Sequence, residues 1–168
     1  ALGQGALINN TTGSSNVAIG QNSLDANTTA SNNTAVGTES LGANTTGTKN
    51  VAVGALALDA NTTADDNTAL GYASMTANTT GNQNVAVGQS SLSVNSTGGS
   101  NTAIGRTALA SNTTASNNTA VGKSALLLNT TGTQNNAVGA LALDANTTGN
   151  YNNAFGTSAL TTLTTGVN

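Results

Sequence analysis

The chain has no cysteine, histidine, proline or tryptophan, and only one phenylalanine, two tyrosines and one methionine. Without histidine or cysteine it lacks the usual zinc and haem ligands, a thiol nucleophile and an imidazole acid–base pair, which removes the equipment of most enzyme classes. Charge is equally scarce: three basic and six acidic residues in 168 make about 5%, against about 25% in an ordinary globular domain. Three basic residues cannot line a phosphate backbone, so nucleic acid is not an expected partner. No apolar run approaches the ~20 residues needed to span a bilayer, and no secretory leader pattern opens the sequence. No catalytic residue, cofactor or metal is expected, nor direct membrane insertion.

What the chain does have is a period. Seventeen-residue units begin at Val17, Thr34, Val51, Thr68, Val85, Thr102, Thr119, Asn136 and Asn153, preceded by a partial unit, with no insertion or deletion. The expectation is one repeat array over residues 1–168, ten units in all, cut as a window from a longer fibre because neither end carries the irregular polar sequence of a solenoid cap. Positions are counted from Val17 as position 1.

Each position forms a column. Position 2 is alanine and position 4 glycine in all ten units, while position 8 is leucine in all but one, where Met75 stands. Position 11 is asparagine in nine of ten units and position 17 in all nine that reach it. In a β-solenoid, successive coils stack about 4.8 Å apart, so a column becomes a line of like side chains along the axis. A helix would place a glycine and a β-branched run in every unit, at about 1 kcal/mol per glycine, and is excluded. Disorder does not hold aliphatic residues in register over ten units.

The expected fold is therefore an all-β parallel β-solenoid. Its expected coil has a strand at positions 17 to 3, a glycine turn at Gly20, Gly37, Gly54 and Gly88, a second strand near positions 6 to 9, an asparagine corner and a third strand. The large apolar columns, Ile19, Val36, Val53 and Val87 at position 3 with Leu24, Leu41, Leu58 and Leu92 at position 8, are expected in the core. Strand alternation then sends Ala18, Ala35, Ala52, Ala69 and Ala86 to the other face, where a flat ladder suits close approach by partner chains. Asn27, Asn44, Asn61, Asn78 and Asn112 are expected to bond coil to coil as an asparagine ladder. Charged residues collect at positions 5, 6, 9, 15 and 16, marking a solvent-facing rim.

Asn16-Val17-Ala18-Ile19-Gly20, Asn50-Val51-Ala52-Val53-Gly54, Asn84-Val85-Ala86-Val87-Gly88 and Asn101-Thr102-Ala103-Ile104-Gly105 resemble the Asn-Ser-Val-Ala-Ile-Gly core of head repeats in trimeric autotransporter adhesins. The Asn-Thr-Thr-Gly variant is similar to related repeats of tail-fibre-like proteins. The resemblance covers essentially the whole chain, although the family unit is shorter and no neck, stalk or anchor is present. It implies a left-handed roll, a homotrimer, and an extracellular structural or adhesive segment at a cell surface or on a virion fibre, with the chain itself and a host-surface or matrix receptor as partners.

Three other readings use the same residues. Asn-x-Thr/Ser at Asn10, Asn27, Asn44 and their equivalents formally matches a glycosylation acceptor, though glycans on every coil would collide. Stacked threonines at Thr28-Thr29 and Thr45-Thr46 suggest ice binding, the alternative function, although adjacent strand residues offer only one outward column. Asp25 and Asp59, two coils apart in one column, fall near a glycosidase carboxylate spacing, but scattered rim charge accounts for them better.

Overall fold

The computed structural model describes residues 1–166; the last two residues of the expected array lie outside it. The chain is an all-β parallel β-solenoid, and no helix occurs among the described residues. Nine three-residue strands, β1 (Val17–Ile19), β2 (Thr34–Val36), β3 (Val51–Val53), β4 (Thr68–Leu70), β5 (Val85–Val87), β6 (Thr102–Ile104), β7 (Thr119–Val121), β8 (Asn136–Val138) and β9 (Asn153–Phe155), form one parallel sheet in sequence order. Register is one period throughout: Val17 faces Thr34, Ala18 faces Ala35 and Ile19 faces Val36, and the pattern repeats to Val138 opposite Phe155. The Val17 amide donates forward to the Asn33 carbonyl at 2.9 Å, and the Gly20 amide donates back to the Leu2 carbonyl at 2.8 Å.

The sequence sets this spacing through glycine at position 4. Its φ is about +130° in every coil, for example +133° at Gly54, and a Cβ there would lie 2.5 Å from the Gly71 carbonyl oxygen. Either fact alone excludes a side chain.

The strand faces are the reverse of those expected. Ala18, Ala35, Ala52, Ala69 and Ala86 are fully buried inside their own chain, packed with Leu24, Leu41, Leu58, Met75 and Leu92. The alanine column is thus an interior wall, not a contact between chains. Position 3 points outward instead: Ile19 is 42% exposed, and Val36, Val53 and Val87 are half-buried. A coil closed in 17 residues is narrow, so with leucine filling the interior from one side only a methyl fits opposite it. The larger aliphatics must leave by the other strand face.

The expected second and third strands do not form. Positions 6 and 8 adopt left-handed backbone in coil after coil, with φ of 57° at Glu39, 53° at Leu41, 59° at Leu56 and 52° at Leu58. The cause is burial: in several coils positions 7 and 8 are both buried, as Ser40 with Leu41 and Ala57 with Leu58 are. An extended strand would send such neighbours to opposite faces, so the chain kinks to bring both inside. A non-glycine residue in that region costs about 1–2 kcal/mol, and a fully buried leucine contributes ~1.5–3 kcal/mol in return.

Candidate functional site

Two asparagine columns close the coil's remaining wall. Asn27 Nδ2 donates to Asn10 Oδ1 at 2.7 Å and to the Ala30 carbonyl at 3.1 Å; Asn44, Asn61, Asn78 and Asn112 repeat the arrangement. Position 17 supplies the second column: Asn33 Nδ2 reaches the Gly47 carbonyl at 2.8 Å, and Asn33 Oδ1 accepts the Asn50 amide at 2.9 Å. The position-14 carbonyl takes one donor from each column, as Ala30 does from Asn16 and Asn27. Asn27, Asn44 and Asn61 are fully buried with their amide nitrogens engaged, so a glycan on them is incompatible with this packing.

With the interior filled by alanine, leucine and asparagine, three further outer surfaces repeat along the axis beside the rim at positions 15 and 16, which carries Lys49, Asp65, Asp66 and Tyr151. The first is the outward face of β1–β9. It carries Val17, Ile19, Val51, Leu70, Ile104 and Phe155, exposed between 37% and 72%, with half-buried Val36, Val53, Val85, Val87, Val121 and Val138 between them. No charged residue occurs at positions 1 or 3 anywhere in the chain. Alternation along three-residue strands sends positions 1 and 3 to this one side, producing an uncharged face in which the position-3 column is apolar along the whole sheet, while position 1 is valine in β1, β3 and β5, threonine in β2, β4, β6 and β7, and asparagine in β8 and β9.

The second surface is the edge formed by positions 5, 6, 9 and 10. Glycine at position 42 removes a side chain between Asp25 and Asp59 and opens a notch of about 390 Å³ lined by Asn22, Asp25, Ala26, Glu39, Gly42, Ala43 and Asp59. Thr76 Oγ1 donates to Asp59 Oδ1 at 2.5 Å. Farther along, the same edge carries Tyr72, Arg106 and Lys123, all exposed. Among the described residues, no group of three or more histidine, cysteine, aspartate or glutamate side chains is placed to hold a metal ion.

The third surface is threonine at position 13. The preceding threonine turns its hydroxyl inward, as Thr45 Oγ1 does to the Thr62 carbonyl at 3.1 Å and Thr113 Oγ1 to the Thr130 carbonyl at 3.1 Å. Thr29, Thr46, Thr63, Thr80, Thr114 and their equivalents are exposed, in a single column. This residue is threonine in all ten units.

Of the residues singled out from the sequence, the structure stacks the position-8 leucines, the asparagines and the turn glycines into columns, moves the position-3 aliphatics from interior to surface, and moves the alanine ladder from its expected partner-facing side to the interior. Sequence reasoning missed that surface as a candidate contact face. The available clue was variability: position 3 ranges over leucine, isoleucine, valine and phenylalanine, while position 2 never departs from alanine. No protein-family model, curated protein sequence or solved structure matches the chain.

Proposed function

We propose that this chain is a non-catalytic segment of an extracellular fibre, an adhesin head or a tail-fibre shaft, built as ten coils of a left-handed roll and assembled as a homotrimer. The observation that carries this reading is the unbroken apolar column at position 3 of β1–β9, from Ile19 to Phe155, which the chain's own interior does not need. The trimer contact lies on positions 1 and 3 of each coil, with the rim left outward to meet a receptor weakly and repeatedly along the fibre. The likeness of Asn16-Val17-Ala18-Ile19-Gly20 and its copies to adhesin head repeats supports both the extracellular setting and the three-chain assembly.

Sedimentation of the native chain and of Val87→Glu with Ile104→Glu tests it. The native chain is expected at three times the monomer mass. The variant is expected at monomer mass with an unchanged β spectrum, because both side chains point out of the coil and carboxylates there disrupt only a dry contact. A native chain that sediments as a monomer at micromolar concentration overturns the trimer.

One observation favours a second reading, ice binding: a fully repeated, exposed threonine column offers a methyl and a hydroxyl at each ~4.8 Å step. Thermal hysteresis that disappears in Thr46→Val with the fold intact would move the assignment to that reading; the fibre reading expects none.

A further inference from the structure

The two columns of the outward strand face differ in character. Position 3 is apolar at every height from Ile19 to Phe155, whereas position 1 runs Val, Thr, Val, Thr, Val, Thr, Thr, Asn, Asn from β1 to β9. Thr34, Thr68, Thr102 and Thr119 are half-buried on that face. Among the described residues their hydroxyls bond nothing in the chain, unlike those of the corner threonines, where Thr45 Oγ1 donates to the Thr62 carbonyl. Asn136 and Asn153 are exposed, and Asn136 Nδ2 donates along the axis to Asn153 Oδ1 at 2.9 Å.

A face that repeats every ~4.8 Å has a weakness as a contact between copies, because sliding one chain past another by a coil lays the same surface on the same surface. With position 3 alone, such a slip forfeits only the strand left over at each end. We infer that position 1 sets the axial register between chains. The inference rests on the homotrimer proposed for the fibre, whose parallel chains bring three copies of each strand to one height. In register every height is uniform: valine at β1, β3 and β5, threonine at β2, β4, β6 and β7, asparagine at β8 and β9. Hydroxyl then meets hydroxyl and amide meets amide, and each of these groups can both donate and accept.

Slipped chains lose that match. A slip of one coil overlaps eight strand pairs and sets valine against threonine in five of them, from β1 on β2 to β5 on β6. Each such threonine is left with its hydroxyl among valine methyls, a polar group without a partner. A slip of two coils restores valine on valine and threonine on threonine for β1 on β3 through β4 on β6. It also leaves two of the nine strands bare and sets Asn136 and Asn153 against Thr102 and Thr119. The alternation thus acts against odd slips, and the asparagine pair with the lost overlap against even ones. In coiled coils a polar residue within an apolar contact specifies register in the same way, at a cost in stability.

Because the chain has no cysteine, single thiols report the register. A nitroxide on Gln21→Cys of one chain and a gadolinium chelate on Lys123→Cys of another lie six coils apart in register, ~29 Å along the axis, and a slip of one coil changes that offset by ~4.8 Å. Pulsed dipolar spectroscopy is expected to give one distance when position 1 is native. Thr34→Val with Thr68→Val, Thr102→Val and Thr119→Val is expected to keep three times the monomer mass and the β spectrum while adding the distances of slipped chains. An inverted chain, Val17→Thr, Thr34→Val, Val51→Thr, Thr68→Val, Val85→Thr and Thr102→Val, is expected to join native chains displaced by one coil, with the in-register distance lost. A single distance in the all-valine variant, or native and inverted chains meeting in register, overturns the inference while the trimer stands. A native chain that sediments as a monomer overturns the trimer and the register together.

Discussion

The two buried walls of the coil obey different rules. The alanine–leucine wall is held by volume: Met75 replaces leucine with no exposure, and serine alternates with alanine at position 7, where Ser40 Oγ finds the Gly37 carbonyl at 2.9 Å. The asparagine wall is held by direction. From Asn10 to Asn146 it accepts no substitute, and where Leu163 enters the column Asn146 Oδ1 is left buried without a partner. Close packing tolerates a swap of similar volume, while a buried hydrogen-bonding group tolerates no missing partner. The difference explains why Met75 is accommodated without consequence while Leu163 leaves a buried polar atom unpaired.

The sharpest way to break this contrast is Asn84→Leu. It removes the acceptor of the Asn101 amide (2.9 Å) and the donor to the Gly98 carbonyl (2.9 Å), and it puts a branched side chain where a planar amide stacked. Chemical denaturation should show a loss of about 4 kcal/mol; a loss under ~1 kcal/mol would mean that direction is not what holds this wall. A smaller effect of opposite sign comes from Leu163→Asn, which supplies the donor that Asn146 Oδ1 lacks. It should stabilise the last coil by about 1 kcal/mol, seen as slower amide exchange over residues 156–163 with little change elsewhere. Smallest of all, Leu92→Met should cost less than about 1 kcal/mol in the same denaturation assay, matching the natural Met75 one coil earlier.

Much of the fold was legible because a column read over ten copies reports its own tolerance. Period, parallel register, the glycine turn and the asparagine ladders all follow from residues that never vary. The orientation of β1–β9 was not legible by hydrophobicity, because Val51-Ala52-Val53 is apolar on both faces. Only the width of the coil, set by Leu58 across from Ala52, decides which face goes in. The turn over positions 6 to 8 was hidden for a related reason. Leu56-Ala57-Leu58 scans as strand, and its left-handed residues betray themselves only when Ala57 and Leu58 are both found inside. Position 14 shows the same tolerance on a finer scale. Alanine occurs at Ala30, Ala64 and Ala115, each followed and preceded by glycine in the neighbouring coils, and a Cβ on Gly47 would lie 2.3 Å from the Ala64 carbonyl oxygen.

The uniform register bears on how such a chain comes to be folded. Its ladder bonds, from Asn44 to Asn27 and from Thr45 to Thr62, join residues one period apart, so the loop to be closed before the next contact forms is the same short length at every step. Each finished coil presents the template for the one after it, and no segment waits for a distant partner to be made. A chain delivered from one end can therefore fold as it arrives, never holding much more than 17 residues of sequence unpaired.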